Sequence, residues 1–548
     1  MSNQHPVYLA FQGGGAKGIS HIGGLAAVND LELDIAGVAG TSAGAIVAAL
    51  VAARCSSQSI LDITADTHIL QRVAQGSYAD PTHLFTPEGW AKISFLLKTK
   101  KCVLKLVARF VNASTGSKAC VIAVLLTLLI AGIAYFPRSV IGLACAFFLY
   151  VGIGLRTLLQ GFAPLTAVRS VIDEAMATSL NIGKSNITFA DLHASNGLPL
   201  KLVATNLTDR RLELFSFETT PDVVIADAVA ASIRLPFIFK PWSIYFKRHD
   251  EAIPVQRWFL DGGLVSNLPV WCFDEERKLD QHAVTIGFGL STLVEQAASD
   301  EHWMLSALTA VIDGPPQIHM RGIDRFIYIG LDCTLGVLDF DADLTCLKAE
   351  VYRAREKAIM VLKQELTDVP GLMREALAQM EAAVWSEMCE TYPGTLAGPE
   401  CFPRVLLAIQ RPGDRKSLTI AYDSDEASTS MQYTRLSLAH STAGDAWQHR
   451  DEDMACFDLF LSGADEASEQ HPRWTAVVPV PIFDPGPAEL ADAELAVVIV
   501  LASTQQAGIQ LGASSNLHAF ANDLHRLTSA FIKASDFGRL ARRSLSWL

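Results

Sequence analysis

Three glycine-rich segments carry groups that can do acyl-transfer chemistry: Gly13-Gly14-Gly15-Ala16-Lys17-Gly18, Gly40-Thr41-Ser42-Ala43-Gly44 and Asp261-Gly262-Gly263. The first supplies backbone N–H groups able to converge on an oxyanion at a helix N-terminus. The second supplies a hydroxyl, Ser42, and the third a carboxylate, Asp261. A serine hydroxyl is a weak nucleophile until a base takes its proton, and no histidine lies in any of the three segments, so Asp261 is the candidate base. His193, His249 or His282 could complete a triad instead, but each lies in an ordinary context.

The flanking residues say how these groups are held. Val7 to Phe11 reads as a strand running into the first segment, with helical periodicity from Ile19. Ile35 to Ala39 and Ala45 to Leu50 place Ser42 between a strand and a helix, the setting of a nucleophile elbow. Close backbone approach in such a turn accounts for Gly40 and Gly44. Asp261 follows the strand-like Arg257-Trp258-Phe259-Leu260. Two cofactor readings fail on position. A dinucleotide fingerprint at Gly13, Gly15 and Gly18 needs an acid ending the second strand, which instead ends in Gly-Thr-Ser; a Walker loop needs Ser or Thr after Lys17, where Gly18 stands.

The chain resembles the patatin-like phospholipases over roughly residues 5 to 335. Two further stretches fit that family: Ala231-Ser232 with Leu235-Pro236-Phe237 and Phe239-Lys240-Pro241, and then Asn267-Leu268-Pro269. The resemblance implies a Ser-Asp dyad, with Ser42 as nucleophile, Asp261 as base and Gly13, Gly14 and Gly15 as the oxyanion hole. Lys17, Gly18, Gly40, Gly44, Gly262 and Gly263 support the motifs. It further implies phospholipase A-type hydrolysis of a lipid ester with no cofactor or metal. Neutral-lipid lipase and acyltransferase activity share the same dyad, and a membrane-tethered sensor with an inactive hydrolase domain is the alternative of a different class.

The 548 residues carry a net charge of −14, which argues against binding nucleic acid non-specifically. Ten cysteines without a CxxC pair read as reduced thiols. The average charge hides a local reversal: between Glu88 and Asp173 there is no acidic residue, while ten lysines and arginines occur there. Inside that stretch Ala119 to Phe136 and Val140 to Leu155 are uncharged runs separated by Pro137-Arg138-Ser139. They are expected to form a transmembrane helical hairpin, slightly short unless Lys118 and Arg156 snorkel. The basic approach from Lys92 to Lys118 puts both outer ends in the cytoplasm and suits an anionic leaflet. A buried helical hairpin or a dimerisation face is the competing reading, and self-association stays open.

The expected fold is α/β, a mostly parallel sheet flanked by helices, because strand-like and helical segments alternate. The expected domains are 5–90 with 165–345 as the catalytic part, interrupted by 91–164. A helical bridge follows at 346–395. After the Pro/Gly-rich boundary near Pro393, residues 400–540 alternate as short strands before a closing helix and form an α+β module. That module resembles a GAF-type sensory domain, which implies a small-molecule effector; a purely structural or dimerisation module is weighed equally. Met1 to Pro6 runs directly into the first strand and reads as no signal peptide, so both ends are expected in the cytoplasm; with the hairpin, the expected protein is membrane-bound through two helices, its catalytic and C-terminal domains cytoplasmic.

Overall fold

Val7–Phe11 (β1) is buried at all five positions, as a central strand covered on both faces must be. The computed structural model describes residues 6–72, 166–248, 251–292 and 325–393, and further on 404–410, 416–424, 434–448, 456–459, 474–482, 495–503 and 514–541, apart from isolated positions within these ranges, with Trp90, Ser94 and Ile323 besides. The two apolar runs, 119–136 and 140–155, and their basic approach lie outside the described residues. Among the described residues no helix is long and apolar enough to cross a membrane.

The chain divides into two compact units, one drawn mainly from residues up to Ile359 and the other mainly from Met360 onward. The first is built on an eight-stranded sheet. Its strands are β1, β2 (Ile35–Thr41), β3 (Leu200–Asn206), β4 (Arg211–Phe215), β5 (Trp242–Phe246), β6 (Val255–Leu260), β7 (Val284–Thr292) and β8 (Phe326–Cys333). Their order is β8-β7-β1-β2-β3-β6-β5, with β4 pairing β3 off that path. β1, β2 and β3 run parallel, whereas β3–β4, β3–β6 and β5–β6 are antiparallel. The sheet is therefore parallel at its centre and antiparallel along one flank.

Register decides where the loops emerge. Phe11 pairs Gly40 and Thr41 pairs Val203, so the segment after β1 and the turn after β2 leave side by side. Leu260 pairs Thr205, which brings Asp261 in from the antiparallel flank. Behind the turn lies α2 (Ala43–Ala52), whose small apolar sequence lets it pack deep: eight of its residues are buried. α1 (Ser20–Asp30) follows the first glycine segment, and Phe11 stacks on Phe288 of β7 with ring centroids 5.3 Å apart. α3 (Thr166–Ser179) and α4 (Ile225–Ser232) complete the described helices used below.

In the stretch expected as a helical bridge, 346–395, lie the helices Leu344–Lys363 and Val369–Thr391, joined by a π-helical turn at Gln364–Asp368. In the second unit six strands, Arg404–Ile409, Ser417–Asp423, Arg435–Ser437, Cys456–Leu459, Trp474–Ile482 and Leu495–Ser503, form one antiparallel sheet. Alternation along Arg404–Ile409 sets its two faces. Val405, Leu407 and Ile409 cluster with Met373, Leu377 and Met380 and with Phe520 and Leu524, while Leu406 and Ala408 cluster with Ala443 and Ala446. The α+β expectation for this region thus has a physical basis in two cores on one sheet.

Candidate active site

Ser42 sits between β2 and α2 at φ 52° and ψ −125°, a backbone conformation that costs a non-glycine residue on the order of 1–3 kcal/mol. Such strain persists only where neighbours over-determine it. Here the Ser42 N–H donates to Ser232 Oγ at 2.9 Å, and Ser232 Oγ donates to Val203 O at 2.6 Å. Ser232, the last residue of α4, therefore ties the turn to β3. The glycines on either side are needed for a different reason: a methyl on Gly40 would lie 2.3 Å from Gly44 O, and one on Gly44 would lie 2.2 Å from Phe11 O. Both obstacles are backbone atoms and cannot rotate away. Gly40→Ala is expected to destabilise the fold by about 1–3 kcal/mol and to reduce ester turnover with it. A denaturant midpoint equal to that of the parent protein would contradict this close packing.

The candidate nucleophile and candidate base meet. Ser42 Oγ donates to Asp261 Oδ2 at 2.6 Å, and both residues are buried. Asp261 is held at four points: its N–H donates to Arg234 O at 2.9 Å, its carbonyl accepts from Thr205 Oγ1 at 2.7 Å, its Oδ1 accepts from Gly263 N–H at 2.8 Å, and its Oδ2 faces Ser42. Burial pushes its pKa up to about 6, with the hydrogen bonds from Ser42 and Gly263 pulling in the opposite direction. Gly262 is fixed by contact, since a methyl there would lie 2.2 Å from Val203 O. Ser42 thus has its proton acceptor in direct contact. His193 stacks on Phe217 at 4.1 Å, and His249 and His282 lie outside the described residues.

The glycine loop lies against the same centre, with one correction to the expected donor set. Gly13 N–H donates to Asn267 O at 3.1 Å and so fastens the loop instead of facing a ligand. The amides of Gly14 and Gly15 have no acceptor among the described residues. Gly15 takes φ +58° under Val337 O, a conformation suited to glycine. Lys17 and Gly18 are buried on the short helix that follows, Gly15–Ile19. The loop is braced from behind: Gln12 Oε1 accepts from Leu290 N–H at 2.7 Å, and His21 Nε2 donates to Gln12 O at 2.7 Å. Burial lowers the His21 pKa to about 4, so the ring is neutral and acts as a strut.

Sequence reading grouped Ala231-Ser232 and Asn267-Leu268-Pro269 as motif residues without giving either a role. Their spacing from Ser42 is too long for any pattern to show that Ser232 holds the elbow and Asn267 holds the loop. Nothing in the chain's local composition signals these contacts.

A strained serine touching a buried carboxylate beside a glycine loop is the geometry a serine hydrolase needs. Residues 9–105 and 142–274 match the family model described as patatin-like phospholipase. Over these residues the chain carries a patatin-like phospholipase domain. It is 32% identical over 85 residues to a protein named probable lipid hydrolase 463L of Invertebrate iridescent virus 6, covering 16% of this chain and 26% of that one. It therefore spans about a quarter of that relative's length. It is 24% identical over 282 residues to the uncharacterized protein YqhO of Bacillus subtilis (strain 168), covering 50% of this chain and 69% of that one. Among solved structures, VipD of Legionella pneumophila overlaps at 18% identity and a TM-score of 0.31, covering 66% of this chain and 67% of that one.

Proposed function

We propose that this protein is a lipid acyl hydrolase of phospholipase A type that works through a Ser42–Asp261 dyad and an acyl-enzyme. The observation that carries the reading is the 2.6 Å hydrogen bond from Ser42 Oγ to the buried Asp261 carboxylate. In the forward step Asp261 Oδ2 takes the Ser42 proton as Oγ adds to the ester carbonyl, and the carbonyl π pair becomes an oxyanion facing the Gly14 and Gly15 amides. Collapse breaks the ester C–O bond, and the leaving alkoxide recovers the proton from Asp261. Water, deprotonated by the same carboxylate, then adds to the acyl-serine and releases fatty acid. A base with a pKa of about 6 suits this cycle: it is ionised at neutral pH yet more basic than an exposed aspartate.

The test is to incubate the protein with phospholipid vesicles and, separately, with dispersed triacylglycerol, and to follow fatty acid and lysophospholipid. Ser42-dependent release from phospholipid supports the reading. Release from triacylglycerol alone would replace it by a neutral-lipid lipase, and Ser42-dependent transfer to an alcohol in place of water would make it an acyltransferase.

Membrane attachment through residues 119–155 belongs to the same proposal. It is supported by the acid-free composition from 89 to 172; the family match passes over 106–141, which takes in the first apolar run, and resumes at 142 inside the second. Holding the enzyme at a bilayer raises the effective concentration of lipid without adding any contact to it. Deleting Lys118 to Arg156 is expected to move the protein from the vesicle pellet to the supernatant while hydrolysis of a soluble short-chain ester persists. Continued sedimentation of that deletion with vesicles would remove the hairpin from the account. Regulation through the second unit, read as a GAF-type module, rests on its antiparallel sheet carrying cores on both faces. A small molecule bound there that alters ester turnover would support it.

A further inference from the structure

Asn267 lies five residues beyond Gly262 and is 5% exposed, yet neither Oδ1 nor Nδ2 of its side chain has a hydrogen-bond partner among the described residues. A carboxamide carries two donors and an acceptor, and leaving such a group buried and unpaired costs about 1–3 kcal/mol. Native proteins pair almost all buried polar groups, so an orphan amide at a candidate reaction centre needs a purpose.

Its position suggests one. The Asn267 backbone already holds the glycine loop through Gly13. A methyl built on Gly13 would lie 2.4 Å from Asn267 Oδ1 and 2.9 Å from Ser42 Cβ. A methyl built on Gly263 would lie 3.0 Å from Asp261 Oδ1 and 3.1 Å from Asn267 Oδ1. The amide therefore stands among the nucleophile, the base and the loop. A half-turn about its terminal bond exchanges oxygen for nitrogen without changing its shape, so the same place can present an N–H donor.

Charge makes a donor necessary there. Once Asp261 has taken the proton, the tetrahedral oxygen holds a full negative charge. Among the described residues the groups that shift the Asp261 carboxyl are burial, Ser42 and Gly263, and no charged side chain is one of them. Oriented dipoles must then balance the oxyanion, and with Gly13 N–H committed to Asn267 O the loop offers two amides.

We infer that Asn267 is a catalytic residue whose side-chain N–H donates to the oxyanion formed at Ser42, completing a three-donor site with the Gly14 and Gly15 amides. The inference rests on the acyl-transfer reading above. Such a donor gains strength as the carbonyl oxygen becomes charged, so its loss should appear in kcat more than in KM.

The experiment compares the full-length parent with Asn267→Ala and the near-isosteric Asn267→Leu on a soluble short-chain ester. Both are also assayed with a trifluoromethyl ketone, which adds to the serine as an oxyanion, and with the corresponding uncharged alcohol, which does not. The expected result is a roughly 10² to 10³-fold fall in kcat, a KM within about 3-fold of the parent, and a comparable loss of ketone but not alcohol affinity. Thermal unfolding identifies any variant that has lost its fold, and the other variant then decides. A kcat within about 5-fold of the parent in a folded variant, or equal weakening of ketone and alcohol, overturns the inference while leaving the dyad intact. Turnover that persists in Ser42→Ala overturns the acyl-transfer reading itself.

Discussion

Ser42→Ala is expected to lower ester turnover by roughly 10⁴ to 10⁶-fold while leaving the fold in place. The size follows from what is removed. The acyl-enzyme route exists only through Ser42 Oγ, and what remains is whatever the glycine loop does for direct attack by water. Stability should fall by no more than about 1–3 kcal/mol, because the hydroxyl's hydrogen bond to the buried Asp261 is lost whereas the elbow itself is held by the Ser42 N–H to Ser232. Alanine has the same Cβ and inherits the same strained φ, so no relief is gained either. Asp261→Asn should lose activity on a similar scale, since an amide of nearly the same shape cannot take a proton. Steady-state kinetics with a soluble ester measure both; residual activity within tenfold of the parent in either variant would mean that another base or nucleophile operates.

Asp261→Asn has a second, opposite expected effect. In the folded protein the Asp261 pKa is raised to about 6 by burial, above its ordinary value of 3.8. Below about pH 4 both folded and unfolded chains hold that proton, and the carboxyl contributes no pH-dependent term. As pH rises from 4 to 6 the unfolded chain releases the proton first, so each step in pH favours unfolding. Above about pH 6 the full cost is present, on the order of 3 kcal/mol for a shift of about two units. Removing the ionisable group removes that cost. The Asn variant should therefore be more stable than the parent at pH 8, through this term, and the advantage should vanish near pH 4. Asn can still accept from Gly263 and donate to Ser42 Oγ, so the local bonding survives. Thermal or denaturant unfolding of both proteins across pH 4 to 8 measures the effect; a stability difference that does not change with pH would contradict a raised folded-state pKa. The same titration controls activity in the other direction: turnover needs the ionised carboxylate and should rise through pH 6.

Much of this centre was legible in the sequence because steric demands leave glycine signatures. Gly40 and Gly44 mark places where backbones approach within the reach of a single methyl, and they point to Ser42 directly. Asp261 was legible for the related reason that Gly262 must pass within a methyl's reach of Val203 O on the central strand β3. The apolar runs of β1 and β2 were equally clear, since buried parallel strands admit few polar residues. β4 and β5 were not expected. In β4 the charged Glu213 faces inward, where Arg248 pairs with it and with Asp209, and Arg257 of β6 joins Asp209 and Glu251. In β4 this partly buried ion network gives the strand the polarity of a surface loop, so the hydrophobic pattern fails as a guide there. The contacts of Ser232, Asn267 and Gly13 N–H were invisible for another reason. They are single hydrogen bonds between segments far apart in the chain, such as the 190-residue separation between Ser42 and Ser232, and no local propensity depends on them.

The central claim is that Ser42, activated by Asp261, is the nucleophile. A fluorophosphonate tests it without any assumption about the natural lipid, because it reacts with an activated serine and leaves a stable covalent mark. Labelling the full-length protein across pH 4 to 9, followed by peptide mass spectrometry, should place one label on Ser42, with a rate that rises through an apparent pKa near 6. Asp261→Asn should slow labelling by orders of magnitude at every pH. A label on another residue, or rapid labelling of Ser42 that ignores Asp261→Asn, would contradict the account.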